Sequence, residues 1–324
     1  MKVAVIGLGS MGKRRIRLIQ KLDDAIRIIG VDLSEERRME CENTYAIKTE
    51  ERLEGLFKEE VDCVFVCTSP LSHSSIITQC LNRKMHVFTE LNLVADDYDK
   101  NIALAKGHGR VLFLSSTFLY REEIMRIKSL LAEAGCQVNY IYHVGQYLPD
   151  WHPWENYKDF FVGDNRSNGC REIFAIEMPW LVHVFGDIEK VDAIKSRISG
   201  LEIGYNDNYI TVLHHRSGHK GVLAVDVVSR KAVRNLEVYG EDVYLQWDGS
   251  SGGLRIYDFE MREEIVLRVY DEIDKLEHYS DSIIENAYMS EIVNFFNAIK
   301  GEEKPKYSFE EDQRILELID RIES

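Results

Sequence analysis

The chain has 324 residues, 45% of them apolar and 29% charged, with a formal net charge of −15. That length allows two domains of about 150 residues each, the balance is that of a folded globular chain, and the acidic surplus argues against a nucleic-acid partner, which needs a basic face. No apolar run approaches the ~20 residues that cross a bilayer, the opening MKVAVIGLGS lacks the layout of a signal peptide, and six scattered cysteines without CxxC or zinc spacing fit a reducing cytoplasm and no metal site.

Short apolar runs and helix-like stretches alternate over residues 1–120. KVAVI (2–6) precedes a glycine-rich turn and an amphipathic stretch to Leu22. IRIIGVD (26–32) is followed by a polar helical stretch opened by Ser34 and another near 50–60. VDCVFVC (61–67), HVF (86–88) and RVLFLSS (110–116) continue the series. Apolar runs separated by helices predict a parallel sheet buried on both faces, which binds ligands beyond the carboxyl ends of its strands. HVFTELNLV places Glu90 and Asn92 at such an end.

After a helix near 121–134 the pattern changes. QVNYIYHVGQYL is a predicted strand, 170–185 a mostly apolar helix, and at least six strand-like runs with hairpin signals fill 188–270. Two helices with apolar stripes, read as core, close the chain, the last opened by SFEE (308–311), a capping box. The expected fold is a Rossmann-type α/β domain over 1–120 and an α+β domain over 121–324 built on a large open antiparallel sheet.

VIGLGSMG sets Gly7, Gly9 and Gly12 in G-x-G-x-x-G spacing between strand and helix, where the turn, the approach of a pyrophosphate and helix–strand packing each need a glycine. Ser10 and Met11 complete the loop, and its amides can hold phosphate. Asp32 ends the next strand 20 residues after Gly12, the place of a ribose-binding acid. A carboxylate there repels a 2′-phosphate and favours NAD. Arg37 and Arg38 keep NADP open, and a helix-capping Asp32 is the plainer alternative. Within KRRIR (13–17), Lys13 and Arg14 can reach phosphate, while Arg15 and Arg17 are expected at the surface.

The segments GLGSMGKRRIR, CTSPLSHSSII (67–77), HVFTELNLV and YSFEEDQRILELI, and their order along the whole chain, resemble the Gfo/Idh/MocA oxidoreductases (glucose–fructose oxidoreductase, inositol dehydrogenase and relatives). The resemblance implies NAD(P)-dependent chemistry at a sugar or polyol carbon and assembly into homodimers or homotetramers through the free face of the sheet. It places Thr68, Ser69 and Pro70 along the cofactor with His73 beside them. It also puts Glu90 on the glutamate of a Glu-Lys-Pro motif at the nicotinamide end, with Asn92 alongside.

Two signatures depart from that pattern. The motif's lysine and proline fall on Leu91 and Asn92. Counted back from Gly186, an Asp-x-Gly-x-His-x-x-Asp signature falls on Glu172, Ile176 and Pro179. Leucine and isoleucine move no protons, so a replacement base is needed, in reach of the hydroxyl and with a pKa near the working pH. Glu177 and Glu172 on the apolar helix are candidates, because apolar surroundings raise a carboxyl pKa. The aromatic stretch GQYLPDWHPWENY (145–157) adds His152 as an acid–base group and Tyr147, Trp151 and Trp154 as ring-stacking platforms. An aromatic plug at an interface is the competing explanation. HHRSGHK (214–220) is expected to be an exposed hairpin rather than a metal site, and His183 a packing histidine. Two functions follow: an NAD-dependent oxidoreductase acting on a sugar, polyol or nucleotide sugar with a non-standard base, or a dinucleotide-binding sensor or subunit without turnover. NAD-assisted elimination or epimerisation is a variant of the first.

Overall fold

The computed structural model describes residues 1–153, 155–276 and 283–324. They divide into two compact units, 1–116 with 288–314 and 117–287 with 315–324.

The first unit is the expected alternation. Its elements are β1 (Lys2–Ile6), α1 (Ser10–Leu22), β2 (Arg27–Val31), α2 (Glu35–Tyr45), β3 (Lys48–Glu50), α3 (Leu53–Leu56), β4 (Cys63–Val66), α4 (Pro70–Asn82), β5 (His86–Thr89), α5 (Tyr98–His108) and β6 (Leu112–Leu114). The strands form one parallel six-stranded sheet in the order β3-β2-β1-β4-β5-β6. Strand order reverses beside β1, so the crevice at its carboxyl end is the ligand position of a doubly wound sheet. Ser34 caps α2 by accepting from the Arg37 amide at 3.3 Å, one of the orphan donors of a helix start.

The second unit holds α6 (Glu122–Ala134), β7 (Val138–Gly145), α7 (Gly169–Phe185) and seven strands: β8 (Ile188–Ser196), β9 (Asn208–His215), β10 (Lys220–Asp226), β11 (Val233–Gly240), β12 (Tyr244–Trp247), β13 (Arg255–Asp258) and β14 (Glu263–Val266). With β7 they make an eight-stranded sheet, β14-β13-β12-β11-β7-β10-β9-β8. All its pairs are antiparallel except β7 with β10, where Ile141 lies beside Val222, so the sheet is mixed. Alternation is clean in β7 and β9, as an antiparallel sheet solvated on one side requires. Tyr140, Tyr142 and Val144 of β7 are buried, whereas Ile141, Ile210 and Val212 face outward.

The closing helices, α8 (Glu285–Lys300) and α9 (Phe309–Glu323), depart from the expected split at residue 120, since 288–314 group with the first unit. The reason is aromatic packing. Phe65, Phe88 and Phe113 stack across β4, β5 and β6, and Phe295 of α8 meets all three edge-on at 5.3–5.5 Å. The capping box of α9 forms as drawn: the Ser308 amide donates to Glu311 Oε2 at 2.8 Å and the Glu311 amide to Ser308 Oγ at 3.2 Å.

Candidate functional site

In the first unit the glycine loop has a space where a ligand would lie. Gly7 sits at φ +92°, and a Cβ there would come within 2.6 Å of the Cys67 carbonyl oxygen. A Cβ on Gly12 would collide with the Gly7 carbonyl, whereas one on Gly9 would meet nothing nearer than an Arg37 guanidinium nitrogen at 4.0 Å. Gly9 is also the N-cap of α1 and offers no side chain to its first-turn amides, so the donors beside Ser10, Met11 and Gly12 are left for an anion.

Asp32 closes this loop against β2. Its Oδ2 accepts from the Leu8 amide at 2.7 Å and its Oδ1 from the Ser34 amide at 2.8 Å. Arg38 is tied to the Asp32 and Leu33 carbonyls, while the half-exposed Arg37 stands 3.8 Å from Asp32 Oδ2. One acid and one half-exposed base therefore stand together at the end of β2. Lys13 is paired with Glu40.

The ends of β4 and β5 bring the other predicted residues together. Ser69 is the N-cap of α4 and Pro70 its first residue, the position where a missing N–H does least harm. The Thr68 hydroxyl meets Ser72 Oγ at 2.8 Å. His73 is buried; its Nε2 donates to the Thr68 carbonyl at 2.9 Å, and its Nδ1 lies 2.7 Å from Asn92 Oδ1 and 3.2 Å from the Thr89 hydroxyl. Burial lowers the His73 pKa, against the pull of its bonds to Asn92 and Thr68, and the ring braces the ends of β4 and β5. Asn92, expected to line the cleft, is instead 2% exposed and turned onto His73. Its position is explained by the buried imidazole, which needs a polar partner.

Glu90 is held from behind. Arg15 Nε donates to Oε1 at 2.6 Å and Nη2 to Oε2 at 3.2 Å, a bidentate pair. Arg15, expected at the surface, is fully buried. It also donates to Glu291 of α8 at 2.7 Å and Ser115 at 3.3 Å, and its guanidinium lies over the Phe88 ring at 4.5 Å. A cation enters a core only when paired, and here two carboxylates pair it.

In the second unit, α7 carries both predicted glutamates, and they differ sharply. Glu177 is fully buried. Its Oε1 accepts from Arg234 Nε and Nη2 at 3.0 and 2.7 Å, and its Oε2 from the Tyr142 hydroxyl and Trp180 Nε1 at 2.6 and 2.7 Å. Four donors occupy its four lone-pair positions, which fits a structural anchor rather than the expected base. Glu172, one turn and a half earlier, has a buried Oε2 with no hydrogen-bond partner among the described residues, and burial pushes its pKa up to about 7.

The polar and ring groups of the aromatic stretch already have partners. The Tyr147 ring lies under Arg230 at 3.5 Å, and Trp151 Nε1 donates to the Gln146 carbonyl at 3.1 Å. His152 Nδ1 pairs with Glu155 at 2.6 Å and its ring stacks on Phe160 at 4.5 Å, so it is tied within its own loop. Asp150 is exposed, and Trp154 lies outside the described residues. The hairpin reading of HHRSGHK holds for its turn but not for His215, which is buried, contacts the Tyr140 hydroxyl through Nε2 at 3.0 Å and donates from Nδ1 to the Gly186 carbonyl at 2.6 Å. His183 Nε2 contacts Lys128 Nζ at 3.1 Å. No group of three or more potential metal ligands occurs among the described residues, and no described helix is long and apolar enough to cross a membrane.

Residues 1–116 match the family described as "Oxidoreductase family, NAD-binding Rossmann fold" (GFO_IDH_MocA). Over 98% of the chain, and 94% of the relative, the sequence is 26% identical to a myo-inositol 2-dehydrogenase of Thermotoga maritima. Residues 1–116 are thus similar to the NAD-binding domain of the Gfo/Idh/MocA oxidoreductases. The same fold recurs in a UDP-N-acetylglucosamine 3-dehydrogenase of Acidithiobacillus ferrooxidans, with TM-score 0.75 and 17% identity over 100% of this chain and 96% of that one. It recurs too in an oxidoreductase of Agrobacterium radiobacter in complex with NAD+, L-tartaric acid and magnesium, with TM-score 0.77 and 13% identity over 99% of this chain and 94% of that one.

Arg15, Glu291 and Arg234 were missed by sequence reasoning. A signal for Arg15 was available. It lies three residues after Gly12 and four before Ile19, both buried, so it is on the inward stripe of α1. Glu291 similarly precedes the buried pair Ile292 and Phe295. Arg234, across the sheet from its glutamate, left no local trace.

Proposed function

We propose that the chain is an NAD-dependent oxidoreductase of a sugar, polyol or nucleotide-sugar carbon, and that Glu172 is its acid–base residue. The observation that carries the acid–base assignment is the contrast on α7: Glu177 has no lone pair to give, while Glu172 keeps a free, buried oxygen on a carboxyl titrating near neutrality, as proton exchange requires. Counted back from Gly186, the resemblance also sets Glu172 against the first aspartate of the family signature. The open Gly9 loop, with Asp32 beside it, would hold the dinucleotide, which supplies a hydride acceptor or donor when bound. Glu172 then takes the hydroxyl proton on oxidation and returns it on reduction. Support for the substrate class comes from the inositol and nucleotide-sugar dehydrogenases among the relatives.

The outward face of the second unit's sheet, with Ile141, Ile194 and Ile210 all exposed, supports a homodimer or homotetramer. Leu91 and Ile176 in place of ionisable groups favour the second reading, a dinucleotide-binding protein without turnover. Titration with NADH and NADPH followed by a polyol and nucleotide-sugar screen separates the two. Turnover that survives in Glu172→Gln refutes the acid–base assignment. Binding of NADH with no turnover on any substrate of that class selects the second reading, and binding of neither dinucleotide refutes both.

A further inference from the structure

Resting on that cofactor reading, the buried cluster behind Glu90 has a consequence of its own. Two carboxylates, Glu90 and Glu291, are gathered on one guanidinium, Arg15. Both carboxylates meet donors on each of their oxygens. Arg15 occupies both oxygens of Glu90. Glu291 Oε1 accepts from Ser115 Oγ at 3.0 Å and the Ser116 amide at 2.7 Å, and its Oε2 from Arg15. Burial pushes the Glu291 pKa up, while Arg15 and Ser115 pull it down, and its oxygens face only donors, as a carboxylate requires. The cluster sits immediately past β5 and β6, on the carboxyl side of the sheet, with Glu90 as its 12% exposed outer end. Asp32 and the ribose position lie past β2, on the far side of β1, so a dinucleotide crossing the loop carries its other end towards β4 and β5. Arg14 is the other buried cation here, 4.4 Å from the Tyr288 ring and donating to Met11 Sδ.

We propose that Glu90 and Glu291 set the redox preference of cofactor binding: their negative charge favours the cationic nicotinamide ring of NAD+ over the neutral ring of NADH. The two forms differ by one charge and share their phosphates, riboses and adenine. Contacts to those shared groups act on both forms alike, and the cations Arg15 and Arg14 are the same in wild type and variant, so the change in the ratio of dissociation constants on removing one carboxylate charge isolates its effect. A unit charge about 10 Å from another, at an effective dielectric near 20, changes such a ratio roughly tenfold, equivalent to about 30 mV for a two-electron couple.

The test is calorimetric titration of the whole protein with NAD+ and with NADH, comparing wild type, Glu291→Gln and Ser115→Ala. Glu291→Gln removes one charge while keeping the side-chain shape. It should weaken NAD+ relative to NADH by about tenfold. Ser115→Ala disturbs the same contacts without changing charge and should leave the ratio unmoved. If Glu291→Gln does not fold, Glu90→Gln at the outer end of the cluster gives the same readout. A ratio within twofold of wild type in the folded carboxylate variant, or an equal shift in Ser115→Ala, overturns the inference while leaving the cofactor reading intact. Failure of the wild type to bind either form overturns both.

Discussion

Glu177→Gln tests whether the most buried carboxylate of α7 is an anchor or a base. The substitution leaves one oxygen and one NH2 where four donors converge. If the oxygen stays on Arg234, the new NH2 faces Trp180 Nε1, a donor that cannot reverse. If it turns the other way, the guanidinium faces an NH2. Removing one partner of a buried ion pair costs about 3–5 kcal/mol. Arg234 is 22% exposed and can recover some hydration, which sets the expectation at the low end, about 3 kcal/mol. The four tryptophans (151, 154, 180 and 247) all fall within the second unit, and Trp180 and Trp247 pack against each other at 6.2 Å. Tryptophan fluorescence during urea unfolding therefore reports this unit. The transition should move to clearly lower urea, while NADH affinity at 25 °C stays within twofold of wild type. Glu177→Leu combined with Arg234→Met removes both charges and should recover much of the loss. Unchanged unfolding together with turnover abolished in folded Glu177→Gln would refute the anchor assignment and return Glu177 to the role of base.

Gly9→Val fills the open side of the loop and should weaken NADH and NADPH together by more than about tenfold, with the melting temperature held within a few degrees. Asp32→Ala removes the acid beside Arg37 and should shift the NADH-to-NADPH affinity ratio towards NADPH by about tenfold, read by parallel titrations. For Glu172 the sign follows from a folded pKa of about 7, above the unfolded carboxyl range. The folded state holds the extra proton, so its stabilisation is full below about pH 4.3 and is lost as pH rises through 7. Urea midpoints measured between pH 5 and 8 should fall more steeply with pH in wild type than in Glu172→Gln, and the rate of alcohol oxidation should rise through the same interval. Ile210→Asp puts a charge on the outward sheet face, and sedimentation should then show a smaller species than wild type.

Much of the architecture was legible because it rests on local rules. Period-two alternation in β7, the uninterrupted apolar run of β4, the Ser34 cap and the Ser308–Glu311 box are each written within a few neighbouring residues. The glycine loop was legible for the same reason. What stayed hidden depended on partners far along the chain. Glu177 looks like a poised base until Arg234, 57 residues later, and Tyr142, 35 residues earlier, claim its oxygens. Arg15 looks solvated inside KRRIR until Glu291, 276 residues away, neutralises it. Asn92 looks like a cleft residue until His73 is known to be buried beside it. Charged side chains on apolar stripes were the available warning, since such positions are occupied by ions only in pairs.

The place of β7 in the middle of its sheet also orders the assembly of that unit. β8, β9 and β10 are joined by successive antiparallel pairings, as are β11, β12, β13 and β14, so two ribbons can each grow from contacts close in sequence. β7 has no neighbour of that kind. Its partners, β10 and β11, begin at Lys220 and Val233, after most of the unit has been traversed. Closing those long loops is the slow kind of step. The last event in building the sheet is then the seating of one early strand between two finished ribbons, and until it happens each ribbon exposes an edge. Destabilising substitutions in β13 or β14, whose contacts are already made within their ribbon, should slow folding by their full effect, whereas equally destabilising ones in β7 should slow it only in part and otherwise speed unfolding.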